Sequence, residues 1–289
     1  MKKIKILILG KSNVGKSSLI NYFCNKHSAL VSNKLHATRI STSHTAHYNN
    51  IQYEFIDTPG ASISDTNLLS KAMKSNAVKY ISNSDIIILL TQPQEKYDYE
   101  VKIQDQIKQC NRQYILCVNK IDLDTSGKYK SNLVKTFGDN DAYFISVKES
   151  IGIDSLYTLL KQKTNDNALY SAGELHHEKN DIHIIQELIR ESLINRTNKE
   201  LPYETAVSIS DYKEQSKSHI IKADIIVSKD NHKKIIIGKK GLMIKNIGIK
   251  SRELIEQYLG KKIHLSLFVV VKDNWKNNPT LLKDIGYID

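Results

Sequence analysis

Residues Gly10-Lys-Ser-Asn-Val-Gly15-Lys16-Ser17 read as GxxxxGKS, directly behind the apolar run Ile4–Leu9 and ahead of an amphipathic stretch over 17–25. No other feature leaves the chain so little freedom. A strand, a glycine-rich turn and a helix N-terminus in that order form a loop whose backbone N–H groups wrap phosphate. The helix adds its positive end. Gly10, Asn13, Val14, Gly15, Lys16, Ser17 and Ser18 are therefore candidate nucleotide-binding residues, with Lys16 reaching the outer phosphates and Ser17 holding Mg2+. A ligand-free strand–helix turn is the competing reading. All four fixed residues and both flanks weigh against it.

The pattern around this loop fits. Apolar runs at 4–9, 51–56, 85–90, 114–119 and 142–146 read as strands, separated by amphipathic stretches at 17–25, 67–81, 100–110 and 153–162. Such alternation predicts an α/β domain with a mainly parallel sheet covered on both faces, over residues 1–167. Residues 168–180 are polar and aperiodic, a linker by composition. After them the order changes. A helix over 182–195, an antiparallel strand pair at 201–210 and 219–228, a helix over 242–258, a strand at 262–272 and a short helix at 279–285 predict an α+β domain over 181–289.

Three further segments stand where a phosphate-loop domain places its nucleotide chemistry. Asp57-Thr-Pro-Gly60 ends a strand, so the Asp57 carboxylate can join the Mg2+ shell and the Gly60 N–H can meet the terminal phosphate. Asn119-Lys120-Ile-Asp122 follows the strand YILCV. A carboxylate at Asp122 can accept from the guanine ring N–H and its exocyclic amine, a donor pair adenine lacks. Asn119 bridges base and phosphate loop in this reading, and the Lys120 stem packs over the ring. Ser146-Val147-Lys148 offers backbone N–H groups to the guanine carbonyl. Thr38 lies in a polar loop, 32–43, and can close onto Mg2+ when the terminal phosphate is present. GTP or GDP with Mg2+ is the implied ligand, and Lys16, Thr38 and Gly60 are the expected catalytic contacts.

The charge points to a second ligand. The formal net charge is +11, and Lys229–Lys262 alone holds ten basic and three acidic residues. Such a segment favours a polyanion. Within it an apolar run precedes Gly238-Lys239-Lys240-Gly241, and an amphipathic helix follows. This is the KH pattern: the GxxG loop clamps sugar-phosphate of a single strand. Lys239, Lys240 and Lys245 neutralise phosphate, while Ile237 and Ile244 floor a groove. The strand order fits the type II arrangement.

Other classes are excluded by composition. With 40% hydrophobic residues the chain is not disordered. No apolar run approaches the ~18–20 residues of a spanning helix. Cys24, Cys110 and Cys117 show neither paired nor metal-ligand spacing, which suits free thiols in a reducing cytoplasm.

Together the segments GKSNVGKSSLIN, FIDTPG, NKID, SVKESIGID, ELPYE, IIIGKKGLMIKNIGIKSRELIE and the tail from Trp275 through LLKDIGYID resemble the Era family of ribosome-assembly GTPases. The resemblance covers nearly the whole chain. It implies GTP hydrolysis, small-subunit ribosomal RNA bound near its 3′ end, and a role in assembling that subunit. The chain is further expected to act as a monomer in the cytoplasm, with weak peripheral contact at the inner membrane face through its basic segment. It also implies a potassium ion held by Asn13. Three positions depart from other patterns. Ala37 replaces a threonine usual in the family, so the Mg2+ role passes to Thr38 alone. Val147 replaces an alanine usual there. Ala61 stands where the small signalling GTPases carry a water-orienting glutamine, and implies slow intrinsic hydrolysis. A GTP-dependent RNA-binding protein with negligible hydrolysis, and a peripheral membrane GTPase, remain the alternatives.

Overall fold

The computed structural model describes residues 2–25, 29, 41–48, 51–59, 67–124, 127–137, 142–166, 177–197, 201–215 and 218–288. The chain divides into two compact units, the second made mainly by His176–Asp289.

The elements of the first half are β1 (Lys2–Leu9), α1 (Lys16–Cys24), β2 (Thr42–Tyr48), β3 (Ile51–Asp57), α2 (Leu68–Asn83), β4 (Ile86–Thr91), α3 (Asp98–Gln109), β5 (Ile115–Val118), α4 (Lys128–Phe137), β6 (Tyr143–Phe144) and α5 (Ile153–Asp166). The sheet order is β2-β3-β1-β4-β5-β6, and the pairs from β3 through β6 are parallel. All six residues of β4, IIILLT, are buried, as a central strand between two covered faces requires. Leu7, Leu9, Ile87, Leu89, Leu116 and Val118 pack with Ile103 and Ile107 of α3 in one core.

Register positions the site. Ile8 of β1 pairs with Asp57 of β3, and Leu9 with Leu89 of β4. The loop after Leu9 and the carboxylate of Asp57 therefore emerge side by side. Thr91 pairs with Val118 and Val118 with Phe144, which carries Asn119 and Ser146 to the same edge. β1 lies between β3 and β4, so the chain crosses over there. Open α/β sheets bind ligands at such a switch point, outside the carboxyl ends of the strands.

Two elements here were not expected. β2 begins at Thr42, inside the stretch read as a polar loop. Its buried residues, Thr42, His44 and Ala46, alternate with partly exposed ones. The period of two is present, but polar side chains hide it. α4 is the other, a helix with Leu133 and Phe137 buried on one side.

The second unit holds α6 (His177–Arg196), β7 (Thr205–Glu214), β8 (Ser218–Val227), α7 (Asp230–Ile237), α8 (Leu242–Leu259), β9 (Lys262–Val271) and α9 (Pro279–Ile285). β7 and β8 are antiparallel, and β8 and β9 are parallel in the order β7-β8-β9. A parallel pair needs a crossover, which α7 and α8 supply. Ile185, Leu188 and Ile189 of α6 pack with Leu254 and Ile255 of α8 over Val207, Ile221 and Ile263. Two expectations are corrected. Residues 177–180, read as linker, form the first turn of α6. The apolar run Ile235–Ile237, left without an element, is the last turn of α7, with Ile236 buried and Ile235 exposed. Three isoleucines in a row have no helical period, so their pattern alone could not reveal a helix.

Candidate functional site: a phosphate loop with a guanine edge, and a basic groove

Gly10–Ser17 wraps the end of β1, and Lys16 folds back inside it. Its Nζ donates to the carbonyls of Gly10 at 3.1 Å and Lys11 at 3.0 Å. Burial pushes the Lys16 ammonium down to about 8, partly offset by the Asp57 charge. A buried ammonium ringed by carbonyls is poised for an anion. Gly15 has φ 100°, and a Cβ there would lie 2.3 Å from Asn119 Nδ2. Only glycine allows the loop and the Asn119 side chain to approach this closely.

Ser17 Oγ donates to Asp57 Oδ2 at 2.7 Å. Asp57 is fully buried. One carboxylate and one hydroxyl meeting beside a phosphate loop form a hard-oxygen set. Mg2+ takes few protein ligands and completes its shell with phosphate and water. These residues fit that ion. Bound there, Mg2+ supplies charge neutralisation to the phosphates.

At the base edge, Asn119 Nδ2 donates to the Val14 carbonyl at 2.9 Å, and its Oδ1 accepts from the Val147 N–H at 3.0 Å. Asn119 thus fastens the β5 and β6 ends to the phosphate loop. Ser146 Oγ donates to Asp122 Oδ1 at 2.6 Å and fixes the carboxylate. Val147, expected to turn its N–H to the base, gives it to Asn119. Lys120, expected to pack its stem over the base, sits at φ 62°, and its Nζ donates to the Asn13 carbonyl. Asn13 itself has φ 67°, a left-handed conformation that asparagine tolerates well. Lys148 is exposed and pairs with Glu149. Ser18 lies half-buried in α1.

In the second unit, Gly238-Lys239-Lys240-Gly241 joins α7 to α8 with φ values of 72° at Gly238, 52° at Lys240 and 75° at Gly241. Holding a lysine left-handed costs about 1–3 kcal/mol, a strain that clusters at ligand clamps. Both lysine side chains are exposed. Below the loop, α8 and the edge strand β9 enclose a groove of about 560 Å3. Ile244 and Lys245 line it, as expected. Ile237 does not; it is half-buried against the core of Leu193, Ile225 and Ile247. Gly248, Arg252, His264 and Ser266 line the groove and were missed. Gly248 and Arg252 follow Ile244 at intervals of four, so one helix face carries all three. That spacing was readable.

Residues 5–120 match the family described as 50S ribosome-binding GTPase, and residues 200–276 match the KH domain family. GTPase Era of Fusobacterium nucleatum is 34% identical over 297 residues, covering 100% of both chains. The chain belongs to the Era family of GTPases. GTPase Era of Lactobacillus helveticus is 33% identical over 98% of this chain and 95% of its own. Among solved structures, a point variant of Aquifex aeolicus Era bound to GDP and AlF4− has a TM-score of 0.88 at 28% identity, covering 100% of both chains. Era in complex with MgGDPNP and nucleotides 1506–1542 of 16S ribosomal RNA has a TM-score of 0.87 at 28% identity, with the same coverage. Era membership makes this chain a GTP hydrolase with a P-loop GTPase domain and a C-terminal KH domain. Two expected contacts of the Era reading, Thr38 and Gly60, lie outside the described residues, as do Ala37 and Ala61.

Proposed function

We propose that this GTPase binds the 3′ region of small-subunit ribosomal RNA through its KH groove and acts in assembly of that subunit. One observation carries the reading. The GKKG loop heads a groove between α8 and β9, in a chain similar along its whole length to an Era protein solved with 16S ribosomal RNA. The RNA backbone lies on Lys239, Lys240 and Lys245, and the bases enter the groove over Ile244. The protein acts as a monomer in the cytoplasm, a compartment that suits three cysteines with neither paired nor metal-ligand spacing. Crosslinking in cells tests this. Reads should concentrate at the 3′ end of 16S RNA, and precursor of that RNA should accumulate on depletion. Reads spread evenly over both subunits, or preferential sedimentation with anionic liposomes, would overturn it.

At the nucleotide, Lys16 holds the outer phosphates, and Ser17, Asp57 and Thr38 hold Mg2+. The Gly60 N–H meets the terminal phosphate. Asp122 reads guanine, steadied by Ser146. Because the free Lys16 ammonium titrates at about 8, phosphate binding should draw a proton onto it. The charged form binds, so affinity is full well below pH 8, is halved at that pH and falls about tenfold per unit above it. At pH 9 GDP should bind roughly tenfold more weakly than at pH 7. Calorimetry across pH 7–9.5 measures this, and a flat profile would show that Lys16 stays charged over that range, so that burial does not lower it as far as pH 8.

Potassium is the remaining expectation. Charge developing between the outer phosphates needs a cation; an arginine finger is worth ~10³–10⁵ in rate where one is supplied. Asn13 stands in the loop at the position that would offer a side-chain oxygen to a bound ion. GTP hydrolysis should be faster in potassium than in sodium at equal ionic strength, and Asn13→Ala should erase the difference. Its left-handed backbone gives Asn13 a purely conformational role as well, so equal rates in both salts would leave that role alone.

A further inference from the structure

A second basic cleft lies at the amino ends of β5 and β6, the opposite edge of the sheet from the phosphate loop. Lys108 and Arg112 come from the end of α3 and the turn after it, Lys163 from the last turn of α5. Tyr114 and Tyr143 stand at the starts of the two strands. With Gln104 they line a space of about 480 Å3. No acidic side chain lines it, and among the described residues none of the three cations has an ion-pair partner. Gln104 Nε2 donates to the Tyr114 hydroxyl at 2.5 Å, which fixes that ring at the wall.

The plainer explanation is that Lys108 and Lys163 complement the negative ends of α3 and α5. Each helix end carries about half a negative charge. Two half-charges leave a surplus of about two positive charges from the three cations. Helix ends also explain neither Arg112, which follows α3, nor the paired tyrosines. The volume falls within the ~300–1,000 Å3 range of ligand pockets. Cations set beside aromatic rings are what a nucleotide unit requires: phosphate on the charges, base against a ring.

We propose that this cleft is a second phosphate site, taking one nucleoside monophosphate unit, either free or within an RNA strand. It is separate from both the GTP site and the KH groove, and does not depend on the ribosomal reading. The test uses the full-length protein saturated with GDP, so that the phosphate loop is filled. One arm titrates adenosine 5′-monophosphate by calorimetry. The other titrates short single-stranded RNA into the Lys239→Asp, Lys240→Asp variant, in which the KH clamp is disabled. At least one arm should show binding, and adding Lys108→Glu, Arg112→Glu and Lys163→Glu should weaken it by about tenfold or more. GDP affinity, unchanged, shows that the reversed chain is folded. Binding of the monophosphate points to a free nucleotide, and binding of RNA alone to a strand. No binding in either arm, or binding indifferent to the charge reversal, overturns the proposal. If the triple reversal fails to fold, Arg112→Gln with Lys163→Gln decides by the same comparison.

Discussion

Replacing Asp122 with asparagine should lower GTP affinity by roughly 10²–10⁴-fold and raise affinity for xanthosine triphosphate. In the proposed site the Asp122 carboxylate accepts two hydrogen bonds, from the guanine ring N–H and the exocyclic amine. Hydrogen bonds to a charged group contribute about 1.5–3 kcal/mol each. Losing two amounts to about 3–6 kcal/mol, and each 1.4 kcal/mol is tenfold. The amide would also set its own N–H against a guanine donor, so the upper part of the range is expected. Xanthine carries a carbonyl where guanine has the amine, and there the amide donor gains a partner. The substitution is local. Ser146 Oγ can still donate to the remaining side-chain oxygen, as it does to Oδ1 at 2.6 Å. The Asn119 bonds to Val14 and Val147 involve no atom of Asp122. Competition between fluorescent GTP and xanthosine triphosphate reads the switch directly. Unchanged GTP affinity would place the base elsewhere.

The parts of this molecule that were legible in its sequence are those where one backbone geometry admits few residues. The phosphate loop is one. Gly15 must lack a Cβ because Asn119 lies 2.3 Å from where it would stand, and the motif records that demand. Asp57 and Asn119 were legible because they follow apolar runs, and strand ends set the sheet edge. Lys120 was half legible. Its place beside the base was expected, but its bond to the Asn13 carbonyl depends on a left-handed φ that no residue pattern announces for lysine. β2 was hidden because the side chains it buries, Thr42 and His44, are polar. The groove shows the same division. Arg252 shares a helix face with Ile244 and could have been found by counting fours. His264 and Ser266 could not, because they line the groove only by virtue of β9 being the outer strand beside β8. That is a fact of sheet order, and sheet order is set by long-range pairing.

Reversing both clamp lysines, Lys239→Asp with Lys240→Asp, should weaken single-stranded RNA binding by about 10²-fold or more at low salt while GTP binding stays near normal. The two exposed lysines sit in a segment whose formal charge of +7 would drop to +3. Each lost phosphate contact should also flatten the dependence of log K on log salt by roughly 0.7 for single strands. Two contacts predict a slope shallower by about 1.4. The slope separates a lost clamp from a damaged fold. Partial unfolding lowers affinity at every salt concentration by one factor, whereas lost phosphate contacts lower it most where salt is low. A backbone variant supplies the complement. Gly238 has φ 72°, and a Cβ there would stand 2.6 Å from Met243 Cβ, so Gly238→Ala must shift the loop against α8. It keeps both charges and loses the shape. If Gly238→Ala weakens RNA binding with an unchanged salt slope, and the double reversal weakens it with a flattened one, then backbone approach and charge act together in the clamp. If the double reversal binds RNA as the parent does, the clamp lies outside Gly238–Gly241, and the groove over Ile244 and Arg252 holds the strand without it.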